Sequence, residues 1–161
     1  MMLWETFDKN EIYISVMLLI AYSAFFILPK VLPRNITALF LVWGFASSTL
    51  FDFTIGGGMI DFYKVNDSNK YELFDLLSYF LFAVFSYFFV YFFEVLKIRG
   101  IGFVLYIAGW SLVGLAMEKL SSLMGLTHYQ NGYEIYYSLA VFLVVQSTTA
   151  LYYQLVRKAI Q

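Results

Sequence analysis

The sequence predicts an all-α integral membrane protein: a bundle of five transmembrane helices with the N-terminus outside and the C-terminus in the cytoplasm. Three observations lead there. Of the 161 residues, 61% are hydrophobic and only 13% are charged, against about 25% charged in ordinary soluble domains. The apolar residues gather in five runs, each long enough to cross a hydrocarbon layer about 30 Å thick. Basic residues flank these runs at alternate connections, which places them on one face of the membrane.

The first span covers about residues 11–29. Glu5, Asp8, Lys9 and Glu11 precede it rather than a basic segment, and Pro29-Lys30 follows it rather than a small-residue cleavage site. It therefore reads as an uncleaved span and not as a signal peptide. The link from Pro29 to Arg34 is short enough for a tight turn between antiparallel helices, with Asn35 as a cap of the second span, residues 35–55. Gly56-Gly57-Gly58 ends that span, because successive glycines give up helical order at about 1 kcal/mol each. The loop that follows is polar and runs to about Tyr71. Met59, Ile60, Phe62, Tyr63 and Val65 make it apolar enough to lie on a membrane surface.

The third span, residues 72–97, is rich in Phe and is closed by Lys97, Arg99 and Gly100. The fourth, residues 100–124, contains Gly102, Gly109 and Gly114 and ends in the loop from Gly125 to Gly132. The fifth, residues 133–156, stops at Arg157-Lys158. Five spans use about 100 positions, so residues 1–161 read as a single membrane domain.

Charge gives the bundle its direction. Lys30, Arg34, Lys97, Arg99, Arg157 and Lys158 fall on one face with Glu94 as the only acid. The remaining ten acids and four lysines fall on the other, so the faces sum to +5 and −6 around a formal net charge of −1. Basic pairs next to helix ends keep a loop in the cytoplasm. Tyr63, Tyr71, Tyr129, Tyr133, Tyr136 and Tyr137 are expected to form an outer aromatic belt, and Tyr152 and Tyr153 an inner one.

Ionisable residues in a membrane are costly and therefore informative. Asp52, Asp75 and Glu118 come to roughly the same depth, in the outer part of their spans. With His128 and Glu134 of the neighbouring loop they could converge on one outward-facing polar pocket. The simpler alternative is interfacial acids that reach water or hydrogen bond to Tyr and Ser. Glu118 stands two or more turns from Gly125, and Lys119 must point about 100° away from it, so Glu118 is expected to face the bundle. On the fifth span Gln146, Thr149, Tyr153 and Arg157 form a polar stripe suited to interhelical hydrogen bonding. Glu94 reads as an interfacial ion pair with Lys97 or Arg99.

Other chemistry is poorly represented. The sequence has no cysteine and one histidine, which argues against zinc sites, disulfides and thiol chemistry. Asp61, Asp67, Glu72 and Asp75 could hold at most a weak calcium or magnesium ion, and no metal or cofactor is expected. Gly56-Gly57-Gly58 lacks the Gly-Lys-Ser/Thr ending of a phosphate loop. Nucleic acid is not an expected partner, because no basic patch of sufficient size is present.

Glu118, the run Gly125-Leu126-Thr127-His128-Tyr129-Gln130-Asn131-Gly132-Tyr133 and the following Tyr136-Tyr137-Ser138 resemble a family of small uncharacterised multi-pass membrane proteins of spore-forming Bacillota. The resemblance covers about a quarter of the chain, in the fourth and fifth spans. It implies a bacterial plasma membrane and a shared outer-face feature built from Glu118, His128 and Asn131, which adds Asn131 to the candidate pocket. It implies no activity. Asn131-Gly132 also suits a tight turn with positive φ.

Three functions are compatible with these residues. The first is a non-catalytic accessory, scaffold or self-associating subunit, whose partners are the lipid bilayer and either a second copy or another membrane protein. The second is a small proton- or cation-linked transporter or channel that uses the outer acids. The third is a membrane-embedded lipid-modifying enzyme with Asp52, Asp75, Glu118 and His128 as acid and base groups.

Overall fold

The computed structural model describes residues 7–56, 59–65 and 72–160. Among them, five helices are long and apolar enough to cross a membrane. They are α1 (Lys9–Ile27), α2 (Arg34–Thr54), α3 (Leu73–Val95), α4 (Ile101–Leu123) and α5 (Ser138–Ile160), the last entered through a 3-10 turn at Ile135–Tyr137. Two strands unforeseen in the sequence add to the helices. β1 (Tyr63–Val65) pairs antiparallel with β2 (Thr127–Tyr129), with Lys64 opposite His128. This pairing marks one end of the bundle, the sheet end. The turns between α1 and α2 and between α3 and α4 lie at the other, basic end, together with Arg157 and Lys158.

Local chemistry sets the helix ends. At α1 the Asn10 amide donates to Asp8 Oδ1 at 3.1 Å and the Asp8 amide donates to Glu11 Oε2 at 2.9 Å, a reciprocal cap for two otherwise unsatisfied donors. α3 starts on the same device, with the Glu72 amide donating to Asp75 Oδ2 at 2.8 Å. α3 and α4 end alike. The Ile98 amide reaches back to the Phe93 carbonyl and the Leu126 amide to the Ser121 carbonyl, each across a residue in the left-handed region. That residue is Gly125 (φ 80°) after α4 but Lys97 (φ 49°) after α3.

α3 is the central helix, packed by α1, α2 and α5. In the half toward the basic end, Phe40, Tyr87, Phe89, Val90, Ala150 and Tyr153 form a closed core. Two interfaces there differ in kind. α2 meets α3 backbone to backbone at Gly44, where a Cβ would lie 2.5 Å from Ser86 Cβ and 2.6 Å from the Phe82 carbonyl oxygen. α4 stands off from α3 on aromatic rings, with Phe89 at 5.0 Å from Tyr106 and 5.8 Å from Trp110 between centroids. The Tyr106 hydroxyl donates to the Phe89 carbonyl at 2.5 Å.

The basic end corrects two expectations. Glu94 pairs with neither Lys97 nor Arg99. It faces α5, where Arg157 Nη1 lies 3.2 Å from its Oε2 and the Tyr153 hydroxyl donates to the same oxygen at 2.8 Å. Tyr153 is consequently buried and not part of an interfacial belt, and Tyr133 at the sheet end is buried as well. Gly57, Gly58, Asp67 and Tyr71 lie outside the described residues.

Candidate binding cavity

Ring-spaced packing between α3 and α4 has a consequence toward the sheet end, where the side chains no longer fill the gap. A cavity of about 240 Å³ opens between α2 and α3 on one side and α4 and α5 on the other. Trp43, Trp110 and Thr149 line its deep end. All three lie close to the midpoints of their helices. The Trp43 indole N–H donates to Thr149 Oγ1 at 2.9 Å, tying α2 to α5 across that floor. Phe51, Phe82, Phe85 and Phe142 supply apolar walls, and the Phe142 ring lies so close over Gly114 that a Cβ there would be 2.8 Å from it. Ser47, Ser48, Ser86 and Gln146 add polar atoms. Among the described residues, Ser86 Oγ is a buried atom without a hydrogen-bond partner. Tyr63, Val65, Leu126 and Tyr133 cover the sheet end of the cavity.

Two carboxylates line this cavity. Asp52, in the last turn of α2, accepts a hydrogen bond at Oδ2 from the Tyr79 hydroxyl of α3. Glu118 Oε1 accepts from the Tyr129 hydroxyl at 2.8 Å and from Ser138 Oγ at 2.6 Å, and Ser138 also bonds to the Tyr133 hydroxyl at 2.9 Å. Tyr133 is in turn packed among Phe62, Tyr129 and Tyr137, with centroids 5.2, 5.9 and 5.7 Å away. Burial, reinforced by donation to Glu118 and by that carboxylate's charge, pushes the Tyr129 hydroxyl well above the ordinary tyrosine range. Lys119 is exposed, as the 100° rotation from Glu118 requires.

The six residues singled out in the sequence therefore separate, and Glu134 is exposed at the start of the 3-10 turn. Asp52 and Glu118 share the cavity. Asp75 is buried at the start of α3, where it caps the helix next to the cavity-lining Ser78 and Tyr79. His128 is exposed on β2 opposite Lys64. Asn131 occupies the left-handed turn (φ 53°) ahead of Gly132 (φ 76°), and its side chain donates to the Asp61 carbonyl at 2.7 Å. Gln130 donates to the Asp61 side chain, so the loop after β2 is bound to the loop before β1. Among the described residues, no three His, Cys, Asp or Glu side chains are grouped to hold a metal ion.

Sequence reading missed Tyr79, Tyr129 and Ser138 as carboxylate partners, Tyr133 as the partner of Ser138, and Trp43 and Trp110 as cavity floor. The spacing of Asp52 and Ser48 on one helix face was a usable signal. Tyr129 and Tyr133 looked like belt residues, because composition does not say which way a ring turns at the end of a span.

No protein-family model, curated protein or solved structure matches the chain.

Proposed function

We propose that the chain is a bacterial plasma-membrane protein, N-terminus outside and C-terminus in the cytoplasm, that acts without catalysis as a membrane subunit binding a small molecule in its outer half. The observation that carries this reading is the cavity. It combines apolar walls, many of them aromatic, with hydroxyl, amide and carboxylate groups placed among them, the composition of a ligand site rather than of a packing defect. The basic residues at the end of the bundle opposite the sheet support the orientation. The exposed apolar side chains of α4, among them Ile101, Val104, Leu105 and Leu112, offer a face to lipid and to a second subunit.

Single-cysteine labelling tests this reading cleanly, since the sequence has no cysteine of its own. His128→Cys is expected to react with an impermeant maleimide in intact cells, and Lys158→Cys only after permeabilisation. Within the cavity, Ser47→Cys is expected to react with a small permeant thiosulfonate far faster than Val84→Cys, which lies in the closed core between α1 and α3. Reversed labelling of the ends sinks the orientation, and equal rates for Ser47→Cys and Val84→Cys sink the cavity.

A second reading, cation-linked transport, draws on the depth of the cavity. Its floor at Trp43, Trp110 and Thr149 lies near mid-helix, where transport sites are placed. Flux into liposomes carrying the protein should then fall with Glu118→Gln. Equal flux in both removes Glu118 from any such mechanism.

A further inference from the structure

The cavity has two carboxylates and, among the described residues that line it, no Lys, Arg or His. That imbalance is chemically informative. A carboxylate taken out of bulk water is normally offset by a cation, as Glu94 is by Arg157 at the opposite end. Asp52 and Glu118 receive hydroxyl hydrogen bonds, each on one oxygen. Among the described residues nothing donates to the second oxygen of either. Both second oxygens therefore remain acceptors within a site whose walls are mostly apolar, with Trp43, Phe51, Phe82, Phe85, Trp110 and Phe142 among them.

Ligand size follows from the volume. An apolar cavity of about 150 Å³ accommodates benzene. At about 240 Å³, this one has room for a single aromatic ring or comparable apolar group with a short chain. An aromatic lining also favours a positive charge over a neutral group, through the negative faces of the rings. The unpartnered Ser86 hydroxyl is a further polar contact inside the same walls.

We infer that the cavity binds a small hydrophobic ammonium compound, its charged nitrogen held by Asp52 and Glu118 and its apolar body lying toward Trp43 and Trp110. The inference rests on the cavity's being a ligand site, and deepens that reading by naming the ligand class. Size, charge and hydrophobicity must all match. An alkali cation would leave the aromatic walls unused, and a neutral hydrocarbon would leave both acceptors unpaired.

Three probes of nearly equal size separate the possibilities: phenethylamine, 2-phenylethanol and phenylacetate, titrated at neutral pH into the full chain in lipid nanodiscs. Trp43 and Trp110 line the cavity, so tryptophan emission reports occupancy directly. Phenethylammonium is expected to give a saturable change and to bind about tenfold or more tighter than the alcohol, with phenylacetate weakest. Glu118→Gln and Asp52→Asn are each expected to weaken amine binding about tenfold or more while leaving alcohol binding in place. Glu94→Gln removes a carboxylate at the far end and should leave amine binding unchanged.

If the alcohol binds as tightly as the amine, the ammonium inference fails while the ligand-site reading stands. If no probe gives a saturable change, both fail. Equal loss of amine and alcohol binding in both cavity variants likewise overturns the inference, because it would mark the carboxylates as structural and not as charge partners.

Discussion

The two halves of this bundle treat the same chemical group in opposite ways. Toward the basic end, Glu94 is held by Arg157 and Tyr153 beside a closed aromatic core. Toward the sheet end, Asp52 and Glu118 are held, among the described residues, by hydroxyls and border open space. The difference begins with packing. Where rings fill the distance between α3 and α4, the ends of α3 and α5 are tied by an ion pair. Where they do not, two carboxylates face a cavity that no Lys, Arg or His among the described residues lines.

The largest expected effect tests filled against hollow. Phe40 is fully buried in the closed half, and Phe40→Ala should cost about 3 to 5 kcal/mol, the usual loss when a large ring leaves a packed core. Ser47→Val adds atoms next to the cavity and should change stability by less than about 0.5 kcal/mol. Denaturation in mild detergent would compare the two. Similar losses would mean that the halves are packed alike.

The carboxylates themselves should differ in sign. Glu94→Gln breaks a pair whose Arg157 side chain is 43% exposed, so screening holds the loss to about 0.5 to 1 kcal/mol and makes it shrink with salt. Glu118→Gln keeps an acceptor for Tyr129 and Ser138 while removing a charge that has no cationic partner among the described residues. It should be neutral or stabilising by up to about 1 kcal/mol. Melting curves at two salt concentrations distinguish them, and a shared sign would break the contrast.

Helix ends give a subtler version of the same comparison. Lys97 and Gly125 occupy equivalent left-handed positions at opposite ends. Lys97→Gly should stabilise by about 0.5 to 1 kcal/mol and Gly125→Ala should destabilise by about 1 kcal/mol. Both follow from the steric cost of a Cβ at positive φ, and chemical denaturation would measure them.

The smallest effect concerns alkaline pH. Tyr129 titrates higher in the folded chain than in the unfolded one, so the unfolded state loses its proton first as pH rises. The stabilisation from this hydroxyl is therefore complete below about pH 10 and declines above it. Tyr129→Phe should flatten the fall in melting temperature between about pH 10 and 11. An unchanged slope would show that Tyr129 does not govern it.

Much of this architecture is legible in the sequence. Long apolar runs locate the helices to within a few residues, because burying a helix in lipid needs a fixed length of apolar chain. The start of α5 is the least accurate: Tyr133 turns inward and a 3-10 turn intervenes before the helix at Ser138. The strands were not readable, since three residues are too few to establish a period of two and the partners lie far apart in sequence. Asp75 could have been recognised as a cap, with Glu72 three residues before it at a helix start. Sharing of a cavity by Asp52 and Glu118 depends on which helices are neighbours, and a hydropathy pattern carries no information about that. Gly44 was overlooked for the same reason, its partner Ser86 being on another helix.

The pairing of β1 with β2 also imposes an order in time. β1 follows the second helix, but β2 is made only after the fourth, and the Asp61 loop has its Gln130 and Asn131 partners later still. A chain emerging from its N-terminus can assemble α1, α2 and α3 while the cover over Asp52 is incomplete. Closure of the cavity is thus one of the last events of biogenesis, and a nascent protein stalled before residue 127 would present an acidic, uncovered cleft to its surroundings.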